Sequence, residues 1–456
     1  MDIQTGIGLW FAVLLVIVLM QRARATLGVG LVLAYYMNLA LIHLPGAVLY
    51  LDPLYAYYKR EWIELGFEQA TFAIMAFGVG AIGTMWFLRQ SRQAVEIMPV
   101  TALSFHPWLS RFYVGLGLLS FFIIQPFLRD VPTVSAVTSV LNQLLLLGIC
   151  LGMWNAWHAR RRFAFVLWVV ALGALPVMTI VFQGFIGFGT VALMTGLAFL
   201  ASFFRPRWVV VVVGVVFVVV GLSAFVTYFR DRDQIRRVVW GNESFEERTA
   251  QFLETFSEFE MIDPANPRHL NSIDSRLNQN WLVGAAVENL LNGKADFRNG
   301  GTLVDALTAL VPRAIWPDKP VRAGSGSLVT DATGIEFSTT TSIGVGQVLE
   351  FYFNFGTPAV VLGAFFWGIA LALLDVAASR YLLQGNARRF TLSYLMGLGL
   401  IQPGGSLVDV AATTAAAIVA AFVVNDFLVP FFIGGMQEPD GEDAAPKSAL
   451  QHVTAK

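Results

Sequence analysis

A chain of 456 residues that is 56% hydrophobic and 13% charged, with a mean hydropathy of +0.64, is too apolar for a soluble globular protein and has the composition of a polytopic membrane protein. Its formal net charge of −1 says nothing about partners, because 28 of the 61 charged residues (30 basic, 31 acidic) fall between Arg230 and Glu336. The single cysteine, Cys150, excludes an internal disulfide and a thiol-metal cluster.

The N-terminal Met-Asp-Ile-Gln-Thr carries no basic residue and no small-residue cleavage site follows, so the first apolar run reads as a retained helix and not a signal peptide. A span needs about 20 apolar residues, and about eleven runs are candidates: near 6–20, 26–45, 67–88, 112–128, 136–157, 163–182, 187–204, 208–227, 357–377, 390–405 and 408–433. The expected fold is therefore all-α and membrane-embedded. Arg22 and Arg24, then Arg89, Arg92 and Arg111, then Arg160 to Arg162, then Arg205 and Arg207, then Arg380, Arg388 and Arg389 make every second loop basic. The bias of lysine and arginine toward the cytoplasm puts those loops inside. The N-terminus, the loops near 46–66, 129–135 and 183–187, and the long polar insertion then face outside. Residues 1–227 hold the first eight spans, 228–341 form a large outer cap, and 342–434 hold an interfacial helix and the last spans. Residues 435–456 read as a disordered cytoplasmic tail.

Within the insertion, Asn242-Glu-Ser-Phe-Glu-Glu opens with capping residues and predicts an amphipathic helix to about Phe259. Asp263-Pro-Ala-Asn-Pro-Arg is a break, and Ser272 to Leu291 predicts a second helix stopped by Asn292-Gly293. Thr302 is placed to cap a short helix ending before Pro312, and Ala323-Gly-Ser-Gly-Ser reads as flexible. In Leu310-Val-Pro-Arg-Ala-Ile-Trp-Pro-Asp-Lys-Pro320 the prolines exclude both a helix interior and a central strand. That stiffened loop presents Arg313, Trp316 and Lys319, either as a rigid turn or as a cationic wall for an anion. The return to the membrane, Thr341 to Val376, is broken by Gly356-Thr357-Pro358. A helix over about 343–354 is expected at or dipping into the outer interface, with Gln347, Glu350 and Asn354 on one face and Val348, Phe351 and Tyr352 toward lipid or protein.

Glu350 stands out because a carboxylate this near an apolar span is costly without a partner or a task. It reads either as a carboxylate in headgroup water or as a general base or hydrogen-bonding anchor. Asp274-Ser-Arg276 with Gln279 and Asn280 reads as an ordinary solvated face or as a phosphate- or sugar-binding wall. Arg230, Arg232, Arg236 and Arg237 form a charge run partly neutralised by Asp231 and Asp233, and Arg129-Asp130 lies in a short outer loop. Gln402-Pro-Gly-Gly-Ser406, followed by Asp409, reads as a tight outer turn. The sequence carries no phosphate-binding P-loop, dinucleotide fingerprint, metal-spaced histidines or aromatic-interleaved basic surface for nucleic acid.

The chain resembles the O-antigen-polymerase-like family of polysaccharide polymerases. The resemblance rests on many spans with one large late outer loop, on Pro312-Arg313-x-x-Trp316-Pro317-Asp318-Lys319-Pro320, and on Glu350-Phe-Tyr-Phe-Asn354-Phe-Gly356 entering the next span. The plan covers most of the chain, the motifs only about 270–360. It implies a GT-C-like helical glycosyltransferase with a periplasmic cap in a bacterial inner membrane. Such enzymes join oligosaccharide repeat units carried on undecaprenyl diphosphate, building O-antigen, capsule or exopolysaccharide without metal or other cofactor. On that pattern Arg276 and Arg313 steady the departing diphosphate and Glu350 accepts the proton of the attacking hydroxyl. Lys319, Arg129, Arg230, Asp274, Trp316, Tyr352 and Asn354 would bind substrate. A flippase and a chain-length regulator are implied as partners beside the bilayer, and no nucleic acid. The ligases that move finished glycans share the plan. His269 is the only histidine of the loop, and Pro267-Arg-His-Leu is no ligase motif, which favours the polymerase. A transporter or flippase of lipid-linked glycan would usually place charges within its spans and show repeats, whereas here the span interiors are nearly free of charge and no internal repeat is evident.

Overall fold

The computed structural model describes residues 1–22, 28–90, 107–124, 132–204, 209–241, 243–311, 316, 325–337 and 343–433. Among these residues every regular element is a helix. Eight segments are long and apolar enough to cross a bilayer: Ile3–Gln21, Leu31–Leu49, Arg60–Leu88, Pro107–Ile124, Ser139–His158, Arg162–Gln183, Thr357–Leu383 and Leu407–Phe432. The protein is a helical, multi-pass membrane protein. Of the other three expected runs, Gly187–Phe203 has 17 residues and Ala387–Leu400 has 14. The third, Val209–Trp240, continues for 32 residues without a break. At 1.5 Å per residue it is about 48 Å long, well beyond a hydrocarbon core of about 30 Å. The expected boundary at 227/228 therefore falls inside one helix, which carries Arg230 to Arg237 on a helical stalk beyond the apolar run.

Arg60–Gln90 is the spine of the fold. Glycines let two other helices reach its backbone. A Cβ on Gly66 would come 1.9 Å from the carbonyl oxygen of Asn280, and one on Gly284 would come 1.8 Å from that of Trp62. Farther along, a Cβ on Gly80 would meet the Phe365 carbonyl oxygen at 2.2 Å, and one on Gly368 the Phe77 carbonyl oxygen at 2.3 Å. The first crossing joins the helix Asn280–Leu291, and the second joins the span Thr357–Leu383. The insertion thus reaches into the core, and does not merely rest on the bundle as a cap: Leu282, Val283, Ala286, Val287 and Leu290 are buried with the residues of the spans.

Other parts of the insertion depart from, or match, the expected elements. Phe245–Ser257 begins at Ser244, which forms a reciprocal capping box with Glu247, as the sequence suggests. The expected helix 272–291 is two helices, Pro267–Arg276 and Asn280–Leu291. Asn278 makes the break: its side-chain oxygen accepts from the Asn280 amide, and the freed Gln279 amide donates to the Ile42 carbonyl at 2.8 Å. Gly301–Ala309 starts from Gly300, held left-handed at φ 87°, so Thr302 is not its cap. Ser325–Thr333 is helical where flexible chain was expected.

The re-entry is broken at Gly356 as the sequence indicates, giving Gln347–Phe355 and then Thr357–Leu383 with Pro358 in its first turn. The first piece is not an interface-exposed helix. Every residue from Gln347 to Asn354 is buried. Ala387–Leu400 is only about 21 Å long, so the turn at Gln402–Ser406 is drawn in against this piece. There Gly346 donates to the Gly404 carbonyl at 3.1 Å and Gln347 to the Pro403 carbonyl at 2.9 Å.

Candidate functional site

Gln347, Glu350 and Asn354 recur at the spacing of one helical face, and each is tied to a different element. The Tyr35 hydroxyl donates to Gln347 Oε1 at 2.6 Å, and Gln347 Nε2 donates to the Gln402 carbonyl at 3.3 Å. Asn354 Nδ2 donates to Thr302 Oγ1 at 2.7 Å, while its Oδ1 accepts from the Gly300 amide at 3.0 Å. Between them Glu350 is wholly buried, which overturns the reading of a carboxylate in headgroup water. Its Oε2 accepts from the Leu407 amide at 2.7 Å, and its Oε1 has no hydrogen-bond partner. Leu407 opens the helix Leu407–Val423, whose free amides and dipole favour an anion. Burial outweighs them. It pushes the Glu350 carboxyl up to about 7 against the Leu407 amide and the Thr302 side chain, with the charge of Asp409 adding to the rise. Asp409 itself exchanges hydrogen bonds with Ser406, the helix cap. A carboxyl poised near neutrality with one open oxygen has the properties of a general base. The Gln402–Ser406 turn packs against the start of the Glu350 helix, through the Gly346 and Gln347 amides.

Asp274 forms a second buried centre. Tyr50 and Tyr55 hydroxyls donate to its Oδ2 at 3.0 and 3.3 Å, and Asn278 donates to its Oδ1. Burial raises its carboxyl, and the donors from Asn278, Tyr50 and Tyr55 partly offset the rise. All these donors are neutral, so Asp274 organises Tyr50 and Tyr55 and the Leu277–Gln279 break without a counter-cation beside it. Gln279 reaches the chain just ahead of the Glu350 helix, donating through Nε2 to the Gly344 carbonyl at 3.4 Å, with its Oε1 buried and unpartnered.

Arg276, two residues from Asp274, is exposed and points the other way. Its guanidinium stands 5.6 Å over the Phe229 ring, and that of Arg232 stands 5.5 Å over the same ring. Arg236, one turn beyond Arg232, stacks on Phe185 and Trp240 and donates to the Gly184 carbonyl. Burial lowers the Arg236 pKa, and the like charge of Arg276 adds to the effect. Among the described residues none of these three arginines has a carboxylate partner within ion-pair distance, although Arg232 Nε is buried. Three guanidiniums held by rings and carbonyls form a strong anion-binding arrangement. The period Phe229, Arg232, Arg236 on one helix face was visible in the sequence, and neighbouring aspartates obscured it. Asp231 is committed elsewhere.

Arg230 has a different role. It pairs with Asp231 at 2.7 Å and with Glu260 at 2.8 Å and donates to the Glu258 and Thr255 carbonyls. Glu260 also takes Arg268 and His269, and the Arg230 hydrogen bond leads in pulling its carboxyl down to about 2. Arg230 is thus a clamp between stalk and insertion. Tyr352 is buried, with its ring 6.3 Å from that of Phe297. Trp316 is 41% exposed. Arg129, Arg313 and Lys319 lie outside the described residues. The structure therefore brings Glu350 and Asn354 together, sets Asp274 in a separate buried centre with Tyr50, Tyr55 and Asn278, and turns Arg276 toward Arg232 and Arg236. Sequence reasoning missed the Leu407 amide, which no motif marks, and read Thr302 as a helix cap where it instead meets Asn354. Among the described residues no three His, Cys, Asp or Glu side chains gather as a metal site.

No curated protein and no solved structure matches the chain. A family described as a domain of unknown function, DUF8712, matches residues 95–401, a stretch that includes Asp274, Arg276 and Glu350. The chain belongs to the DUF8712 family.

Proposed function

We propose that the protein is a bacterial inner-membrane glycosyltransferase that polymerises oligosaccharide repeat units carried on undecaprenyl diphosphate at the periplasmic face. The observation that carries this reading is Glu350: a buried carboxyl near neutrality with one unpartnered oxygen, at the end of the bundle where the spans from Thr357 and Leu407 begin. Glu350 takes the proton of an acceptor sugar hydroxyl as that oxygen bonds to the anomeric carbon of the donor. The bond from that carbon to the diphosphate breaks, and its electron pair leaves with the diphosphate. Among the described residues Arg232, Arg236 and Arg276 have no carboxylate partner, and they are the guanidinium donors this reading assigns to the trianion that departs. Asn354 and Thr302 hold the Glu350 face in place. A flippase supplying donor and a regulator of chain length accompany this reading as partners.

The transporter reading is less well supported. The buried Asp375 in the span Thr357–Leu383 is occupied by the backbone amides of Val29 and Leu31, at 2.6 and 3.1 Å, where the chain enters its second helix. It is a capping carboxylate and not a carrier site. Deleting the gene tests the function: cells should accumulate or display single repeat units in place of long glycan. Glycan of normal length in the deletion strain would overturn the polymerase reading.

A further inference from the structure

The helix Gly301–Ala309 has two unlike faces. Inward, Thr302 is buried, takes a hydrogen bond from Asn354 and supports the Glu350 carboxyl. Outward, Leu303, Val304, Leu307 and Leu310 recur at the spacing of one helical face, and all are exposed, Val304 at 57% and Leu307 at 66%. The helix contains one charged residue, Asp305. It is strapped down at its start. Arg298 and Asn299 donate through their amides to the carbonyls of Phe353 and Asn354, and the Gly300 amide donates to Asn354 Oδ1. It then packs along the span Leu407–Phe432, most of which faces away from the protein.

We infer that Gly301–Ala309 is an in-plane membrane helix whose Leu303, Val304, Leu307 and Leu310 face lies in the acyl region of the bilayer, forming a wall one helix thick between lipid and Glu350. The occupant of that face is lipid because the helix packs along Leu407–Phe432, an apolar, membrane-length span most of whose surface the protein leaves uncovered. Phe355, half-exposed, lies against Gly300, and Leu362 and Phe366 are exposed apolar residues on the span Thr357–Leu383 that follows it. A water-facing helix on a folded cap would show charges there, as Phe245–Ser257 does with Glu246, Arg248 and Glu254. Resting on the transferase reading, this wall makes the bilayer the direction from which Glu350 receives its ligand. The ligand is then an amphiphile whose tail runs beside Val304 and Leu307.

Nitroxide side chains on Val304→Cys and Leu307→Cys in the full chain, reconstituted in phosphatidylglycerol–phosphatidylethanolamine nanodiscs, test the placement. The buried Cys150 is shielded from the label. Both sites should collide with dissolved oxygen several-fold more than with a water-soluble nickel chelate, as Phe366→Cys does on the span, with the reverse at Glu254→Cys. Nickel access at Leu307 equal to that at Glu254 would overturn the inference. So would exclusion of both agents with spin–spin broadening, which would mean that a second copy covers the face. The readout is independent of turnover. A watery Leu307 beside an inactive Glu350→Gln sinks this placement and keeps the transferase. A lipid-immersed Leu307 beside a fully active Glu350→Gln does the opposite.

Discussion

Glu350 is costly to keep ionised where it lies. Its carboxyl titrates at about 7 in the fold against an ordinary 4.5. Between those values the folded chain holds the extra proton, so the stability linked to this group is complete below 4.5 and is lost as pH rises through 7. At about 1.4 kcal/mol per pH unit, ionisation costs the fold on the order of 3 kcal/mol above neutrality. Glu350→Gln keeps the shape and removes that cost. Thermal unfolding in detergent should show the variant more stable than the parent at pH 8 and nearly equal at pH 5. If Glu350 is the base, the same variant should lose about 100- to 10,000-fold in turnover, and parental activity should climb with pH to a plateau above 7. A variant as active as the parent would leave Glu350 as a structural pin on Leu407. The sequence marked this residue by its chemistry and spacing. It gave no sign of the burial, because the Leu407 amide and Thr302 come from 57 and 48 residues away.

At the scale of elements, periodicity located the spans and the break at Gly356, where Gly and Pro act locally. It failed where tertiary contacts decide. Ser272 to Leu291 has only Gly284 as an obvious helix-weakening residue, and the actual break comes at Asn278, whose side chain replaces a helical hydrogen bond while Gln279 is recruited by Ile42. Gly284 lies mid-helix because Trp62 needs the space, and Gly66 is its counterpart against Asn280. Each Cβ would strike a backbone oxygen, and no side-chain rotation relieves that. Gly284→Ala should therefore force the two helices apart and destabilise the protein by about 1–3 kcal/mol or more, despite alanine's better helix propensity. The measurement is the melting temperature of the purified variant beside Gly83→Ala on the same spine, where an added Cβ meets nothing within 4 Å. Equal melting of the two would contradict the close crossing.

At the scale of the whole molecule, the alternation of arginine clusters assigns sides, and the helix lengths permit a test of them. Thr357–Leu383 has 27 residues, about 40 Å, enough to carry the chain from the Glu350 end of the bundle to the far side. The basic run Arg380, Arg388 and Arg389 lies at that far end, which the charge bias makes cytoplasmic. On the proposed orientation the Glu350 end, the arginine trio and the insertion would share the periplasmic side. That is also where a flipped lipid-linked donor would stand. Gln384, just past the span, and Glu254, on the insertion, are both exposed, so single cysteines there should not disturb packing. The buried Cys150 contributes no background. In intact spheroplasts an impermeant maleimide should label Glu254→Cys and spare Gln384→Cys, which should react only after lysis. The opposite pattern would place Glu350 and the three arginines at the cytoplasmic face. The transfer chemistry would then have to draw on donors before they cross the membrane, and the periplasmic polymerase would be excluded whatever the activity of the Glu350 variants.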